Sequence, residues 1–188
     1  MNAILTGGFA DPSTQSAHAF RALLEAMARP GRIFAVQGAR PPAPISVAAG
    51  VALLTLTDAT TPLHLAGAAD CEALRGWIGF HTGAPLVAAD QAQFALGRWD
   101  ALQPVSRFRI GEPSYPDRSA TLIVDLDRLE AEGARLTGPG IETEARLSLP
   151  ETAGFRANRA LFPLGLDCIL TCGARLAALP RSTIVEDA

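Results

Sequence analysis

The stretch that decides the fold is residues 162–186, FPLGLDCILTCGARLAALPRSTIVE. Its segment Leu166–Cys172 has the length of one strand and is apolar on both alternating faces. Such a strand is typical of the centre of a sheet that is covered on each side. Gly173-Ala174 fits a two-residue turn of type II′, and Arg175–Leu179 then returns beside the first strand. Pro180 ends the pairing because it has no N–H to donate.

Upstream of this hairpin, the apolar pattern alternates between helical and strand-like periods. Predicted helices run from the cap residue Asp11 to a stop at Pro30, over Val47–Leu56, from the cap residue Asp70 through His81, and over Thr152–Leu161. Predicted strands cover Ile33–Val36, Pro62–Ala66, Gln93–Leu96 and Ala120–Asp125; Ala134–Thr137 and Glu144–Leu149 form a hairpin. We therefore predict one α/β domain, residues 1–188, with a mixed sheet flanked by helices.

Composition limits the class of protein. The net charge is −3, so no global basic field attracts nucleic acid. No segment reaches the roughly 18 apolar residues of a membrane span, and the start of the chain lacks the features of a secretory signal. Hydrophobic residues make up 48% of the chain, which is compatible with a buried subunit interface as well as a core. We predict a cytoplasmic protein.

The chain contains no lysine, and all sixteen of its basic residues are arginine. A Schiff-base lysine is therefore excluded, and with it the usual chemistry of pyridoxal phosphate. A phosphate-binding loop that ends in Gly-Lys-Ser/Thr is excluded too. Arginine remains able to hold a phosphate or phosphonate through two parallel hydrogen bonds.

The three cysteines, Cys71, Cys168 and Cys172, do not predict a disulfide framework or a metal site. Cys168 and Cys172 lie four residues apart on one predicted strand, which separates them by roughly 13 Å. Two sulfurs that share a disulfide or a zinc ion must lie much closer. We therefore interpret both as small buried apolar side chains.

Two residues are candidates for ligand binding, His81 and Arg181. His81 closes a predicted helix before a glycine turn, where it either bonds the last helical carbonyls or contacts a ligand. Arg181 follows Pro180 and offers a guanidinium to an anion; protection of a sheet edge or a subunit contact is the alternative. No set of nucleophile, base and stabiliser is recognisable, so no catalytic residue, metal or cofactor is predicted.

Two other polar stretches have structural interpretations. Gly138-Pro139-Gly140 lacks the strand–loop–helix context of a phosphate loop and predicts a tight hairpin turn. Arg107, Arg109 and Arg118 form a local basic cluster. Glu112 and Asp117 lie among them, which predicts a solvated, salt-bridged loop.

Several strings resemble one known family along most of the chain. They are FRALLEAMARPG (Phe20–Gly31), LLTLTDATTP (Leu53–Pro62), FHTGAPLV (Phe80–Val87), LTGPGI (Leu136–Ile141) and the C-terminal stretch itself. In this order and at this spacing they resemble the PhnH family, a subunit of the bacterial carbon–phosphorus lyase system. None of the strings is a chemical motif.

The resemblance implies a fold like the large domain of pyridoxal phosphate-dependent transferases, without the cofactor. It also implies a homodimer that joins the G, I and J subunits of a core complex. That complex supports formation of a ribose 1-alkylphosphonate 5-triphosphate from a nucleoside triphosphate and a phosphonate. The leading hypothesis is an accessory, non-catalytic subunit of this assembly. The alternative is a subunit that binds nucleotide or phosphonate through Arg181, aided by His81.

Overall fold

The structure of the chain is a computed structural model that describes residues 6–188. Its α-helices are α1 (Pro12–Ala28), α2 (Val47–Leu56), α3 (Glu72–His81), α4 (Trp99–Leu102) and α5 (Ala153–Arg159). Its strands are β1 (Phe34–Ala35), β2 (Leu63–Leu65), β3 (Phe94–Gly97), β4 (Ile110–Glu112), β5 (Tyr115–Ser119), β6 (Thr121–Asp125), β7 (Ala134–Thr137), β8 (Ala145–Leu147), β9 (Asp167–Cys172), β10 (Arg175–Leu179) and β11 (Ile184–Glu186). None of these helices is long and apolar enough to span a membrane.

Six strands form the main sheet in the order β1-β10-β9-β6-β3-β2. The neighbours β1, β10 and β9 are antiparallel, whereas β9, β6, β3 and β2 run parallel. The predicted mixed sheet is therefore confirmed. Strand β9 is third in the order and pairs on both sides, as its apolar alternation predicted.

The two faces of β9 enter two separate cores. Ile169 packs into a core that it shares with buried residues of α1, α2 and α3. Cys168 and Leu170 point to the opposite face and pack into a second core. Successive side chains of β9, which the sequence predicted to point to opposite faces, thus enter the two cores in turn.

The turn between β9 and β10 has the predicted form. Cys172 pairs with Arg175, which leaves Gly173 and Ala174 as the two turn residues. Gly173 has a φ of +57°, and no non-glycine residue of the described chain has a positive φ. A positive φ at the first turn position alone fits type II′ and excludes type I′.

The second face of the main sheet is covered in part by a small sheet of which the sequence predicted only two strands. Strands β11, β7 and β8 form a separate three-stranded sheet, and its residues Leu136, Leu147 and Val185 pack into the second core. The predicted pairing of β7 with β8 is confirmed, but their connection is residues 138–144 and not a tight turn. Strand β11 was not predicted because only Val185 of its three residues is buried.

Asp70 does not cap α3, so that prediction is wrong. The residue before the helix is Cys71, and its side chain makes no capping hydrogen bond. Asp70 instead closes a preceding 3₁₀ turn, Gly67–Ala69, and accepts hydrogen bonds from Nε and Nη2 of Arg75 at 2.5 and 2.9 Å. The guanidinium one turn into the helix draws the carboxylate away from the helix N–H groups.

The segment between β3 and β6 is not a loop, which also corrects the sequence-based interpretation. It contains α4 and a two-stranded hairpin of β4 and β5. Glu112 pairs with Tyr115, so Pro113 and Ser114 form the turn. Pro116 lies within β5; a two-stranded ribbon tolerates it because each strand has a free edge.

Truncation of a side chain in the second core should destabilise the fold. Leu170 has no exposed surface, so we expect Leu170→Ala to lower the free energy of unfolding by about 2–5 kcal/mol through lost burial and a residual cavity. Urea denaturation measures this change. Leu161→Ala is the matched control, because Leu161 is 45% exposed and its loss should change stability by less than about 0.5 kcal/mol. Equal effects of the two substitutions would contradict the assignment of the core.

Candidate functional site

An apolar groove lies between α1, the end of α2 and strands β3, β6 and β9, and we call it the α1 groove. Its volume is about 210 Å³, and it is lined by Phe20, Leu23, Leu24, Met27, Leu56, Phe94, Thr121 and Ile169. Phe20 and Leu24 project from α1 with 51% and 56% of their surface exposed. Leu23 on the same helix is buried, so the apolar side chains of α1 are only partly covered by the rest of the chain. Exposed apolar surface of this kind marks interaction sites in soluble proteins.

A polar pocket adjoins the α1 groove, and we call it the arginine pocket. Its volume is about 360 Å³, and its polar lining is Gln93, Arg109, Asp117, Arg118, Ser119 and Thr121. Phe94 and Thr121 line both cavities, so the two form one continuous surface. This surface lies where β3 and β6 begin.

The β4–β5 hairpin sets the position of the two arginines. The backbone N–H of Ala120 donates to the carbonyl of Arg109 at 2.7 Å, which holds the start of the hairpin against its end. The guanidinium of Arg118 stacks on the ring of Tyr115, 4.0 Å from its centroid. Stacking occupies the faces of a guanidinium and leaves its in-plane N–H groups available.

The predicted salt bridges of this basic cluster are absent from the described residues 6–188. None of Arg107, Arg109 and Arg118 pairs there with a carboxylate. Arg107 donates from Nη2 to the carbonyl of Ala101 at 2.8 Å. The two pocket arginines therefore form no ion pair within residues 6–188, although Asp117 also lines the pocket.

Arg181 lies beneath this pocket in an ion pair with Asp167. Its Nε and Nη2 donate to the two carboxylate oxygens at 3.2 and 2.6 Å, and its backbone N–H donates to Oδ1 at 2.8 Å. The side chains are only 12% and 19% exposed. Nη1 donates to the carbonyl of Pro116 at 2.7 Å, and Nη2 donates to Ser119 Oγ at 2.5 Å. Arg181 therefore ties β9 and the end of β10 to strand β5.

The pairing of Arg181 with Asp167 could have been predicted from the strand register of the β9–β10 hairpin. In the β9–β10 register Cys168 pairs with Leu179, so the next position places Asp167 beside Pro180 and Arg181. A carboxylate at the start of one strand then meets a guanidinium just after the end of the next. An anionic ligand of Arg181 would have to compete with this carboxylate.

His81 lies elsewhere and shares no contact with Arg181. Its Nε2 lies 3.2 Å from the carbonyl of Thr6, and its ring packs near those of Trp77 and Phe80 at centroid distances of 5.1 and 4.9 Å. Gly8 approaches this ring so closely that a Cβ at its position would lie 2.5 Å from His81 Nδ1. The hydrogen bond of His81 goes to the segment before α1 and not to the last carbonyls of its own helix.

Cys168 and His64 have surroundings that fit a structural role. Burial raises the pKa of Cys168 to about 12, with a smaller contribution from Asp167, so this thiol stays protonated at neutral pH. His64 Nδ1 lies 3.0 Å from the carbonyl of Val87. Within residues 6–188, no serine or cysteine side chain is hydrogen-bonded to a histidine, and no three acidic, histidine or cysteine side chains are grouped to hold a metal.

Comparison with known proteins gives consistent matches over nearly the whole chain. The profile of the bacterial phosphonate metabolism protein family, PhnH, matches residues 7–186. The subunit PhnH of alpha-D-ribose 1-methylphosphonate 5-triphosphate synthase from Rhizobium meliloti is 39% identical over 97% of this chain and 96% of its own length. HtxG of Stutzerimonas stutzeri, named as a C-P lyase subunit protein, is 32% identical over 89% of this chain and 84% of its own length.

Removal of the carboxylate beneath the pocket should destabilise the fold strongly. Asp167→Asn leaves Arg181 largely buried without a counter-charge, and we expect a loss of about 3 kcal/mol or more in the free energy of unfolding. The double variant Asp167→Leu/Arg181→Met should recover most of this loss, because it removes both charges. Chemical denaturation of the two variants measures the difference.

An exposed ion pair provides the control for this experiment. Arg128 and Glu132 are 62% and 60% exposed, so Glu132→Gln should cost less than about 1 kcal/mol. If Asp167→Asn and Glu132→Gln cost the same, the Arg181–Asp167 pair does not have the structural role that its burial indicates.

Proposed function

Since the chain belongs to the PhnH family of bacterial phosphonate metabolism proteins, we propose that it is an accessory, non-catalytic subunit of a carbon–phosphorus lyase assembly. In this role it supports the formation of a ribose 1-alkylphosphonate 5-triphosphate from a nucleoside triphosphate and a phosphonate. The observation that carries the proposal is the match over 97% of the chain to a protein named as a synthase subunit.

The accessory role is supported by the chemistry of the described residues. The hydrogen bonds of His81 and His64 reach backbone carbonyls, and the thiol of Cys168 is buried and protonated. General acid–base and nucleophilic catalysis need such groups within hydrogen-bond reach of each other. In our proposal these groups belong to companion subunits, and this chain contributes surfaces that hold them.

We assign the α1 groove to contact between two copies of this chain. The same patch supplies both projecting side chains, Phe20 and Leu24, and a cavity lined by Met27, Leu56 and Phe94. A two-fold interface requires this self-complementarity, because each copy presents the same surface to the other. The resulting homodimer then joins the G, I and J subunits.

The remaining parts of the proposal follow from the same assignment. The chain acts in the cytoplasm as one domain, residues 1–188, without a resident cofactor. Its parallel strands β2, β3, β6 and β9 with helices on one face are compatible with a fold like the large domain of pyridoxal phosphate-dependent transferases. The lack of any lysine agrees with a relative of those enzymes that does not bind the cofactor.

The alternative from the sequence, ligand binding through Arg181 and His81, stays a prediction. The N–H groups of Arg181 are directed to Asp167, Pro116 and Ser119. His81 contacts a different part of the chain. Because the two side chains have separate partners and the N–H groups of Arg181 already have acceptors, the accessory role is the better-supported function.

Co-expression and affinity purification with the G and I subunits test the accessory role. We expect this chain to co-purify with them, and the isolated chain to form no product from ATP and methylphosphonate. The assembled complex should form the product. An isolated chain that turns over these substrates, or one that is folded yet never associates with the companions, would overturn the proposal.

The assignment of the α1 groove predicts a change of oligomeric state. Leu24→Glu places a charge in the centre of the proposed dimer contact, so light scattering should show a monomer where the parent chain is a dimer. Leu24 is 56% exposed in the isolated chain, so the substitution removes no core packing. The monomeric variant should therefore remain folded and unfold cooperatively on heating. Leu161→Glu is the control, because Leu161 is similarly exposed but lies outside the groove. A dimeric Leu24→Glu variant would exclude this interface.

A further inference from the structure

We propose that the arginine pocket is a binding site for a phosphoryl-type oxyanion, either a free phosphonate or the terminal phosphate of a nucleotide. The proposed accessory role does not require such a site. The proposed site rests on that role only for the choice of ligands to test. The pocket is distinct from the predicted pair of Arg181 and His81.

Two guanidinium groups that form no ion pair in the described residues supply the charge. Arg109 and Arg118 both line the pocket, and neither is paired with a carboxylate within residues 6–188. Arg118 is held by its stacking on Tyr115, which keeps its donor edge in a fixed orientation. Guanidinium groups bind tetrahedral oxyanions through charge-assisted, often bidentate, hydrogen bonds.

Hydroxyl groups supply further donors at the same place. Ser119 Oγ accepts a hydrogen bond from Arg181 at 2.5 Å, so its own O–H proton remains available to donate. Thr121 also lines the pocket, beside Gln93, whose carbonyl accepts the N–H of Thr121 at 2.9 Å. Oxyanion sites commonly combine two charged donors with neutral ones of this kind.

Arg181 gives the pocket wall its rigidity. It is paired with Asp167 and donates to Pro116 and Ser119 on β5, the strand that carries Arg118. A wall that is fixed before the ligand arrives costs less conformational entropy on binding. Arg181 is therefore a positioning residue for this site and not a ligand contact.

Asp117 is the one acidic side chain of the pocket lining. With two arginines it leaves a net charge of about +1, so it weakens the attraction for an anion without cancelling it. A carboxylate there also disfavours ligands with several negative charges. We therefore expect a singly anchored phosphonate to be tolerated better than a full triphosphate.

Calorimetric titration of the isolated chain with methylphosphonate and, separately, with ATP tests the proposal. Saturable binding of one or both probes is expected, and the two arms identify which source of the oxyanion the pocket accepts. Arg109→Gln and Arg118→Gln should each weaken binding about tenfold or more. Asp117→Asn should strengthen it, because a like charge is removed. Affinity should also fall with added salt.

Arg32→Gln is the matched control. Arg32 is exposed and, like the pocket arginines, has no ion pair within residues 6–188, but it precedes β1 at the far edge of the main sheet. The proposal is overturned if neither probe binds saturably, if the pocket variants bind as the parent does, or if Arg32→Gln weakens binding equally. Both pocket arginines are exposed, and an unchanged melting temperature of each variant shows that a loss of binding is not a loss of fold.

The outcome is separable from that of the accessory role. Failure of binding with normal co-purification overturns the oxyanion site alone. Failure of co-purification with intact binding overturns the assembly role alone. A conservative Arg118→Lys variant gives a further check: it retains charge but loses the planar donor edge, so affinity should fall less than in Arg118→Gln.

Discussion

The fold depends on the requirement that β9 be covered on both of its faces. Ile169 needs one core and Cys168 and Leu170 need another, so the chain must place apolar layers on opposite sides of one sheet. Helices α1, α2 and α3 cover the first face, whereas the second receives two short helices and a small sheet. Strand β9, whose residues Cys168, Ile169 and Leu170 are buried on alternating faces, thus requires an apolar layer on each side of the main sheet.

The Arg181–Asp167 pair links this framework to the candidate site. The hairpin of β9 and β10 brings the two residues together, and the guanidinium then reaches Pro116 and Ser119 in the β4–β5 hairpin. A hairpin that has few buried apolar residues of its own is in this way fixed to the central sheet. The largely buried Arg181–Asp167 pair thus fixes the hairpin that carries the pocket arginines, although neither residue of the pair lines the pocket.

The sequence predicted the elements whose signal is local. The β9–β10 hairpin follows from alternation plus the turn at Gly173. Helix α1 follows from its cap residue Asp11, its helical spacing and the stop at Pro30, whereas α2 follows from a run that is apolar nearly all round. The candidate site depends on contacts that are distant in the chain. Its polar lining comes from the start of β3, from the β4–β5 hairpin and from the start of β6, and no periodicity records that these meet. Pro116 in β5 and Pro113 in the preceding turn also concealed a strand that forms one wall of the site.

The partnership of Arg181 with Asp167 has a consequence for how this protein diverges. The two positions lie fourteen residues apart, yet the loss of either charge alone leaves the other charge largely buried without a partner, which lowers stability. Replacement of the pair must pass through an unstable intermediate sequence or occur in one step. We therefore expect related sequences to show correlated exchange at these positions, to two charges or to two apolar side chains, and mixed combinations to be rare.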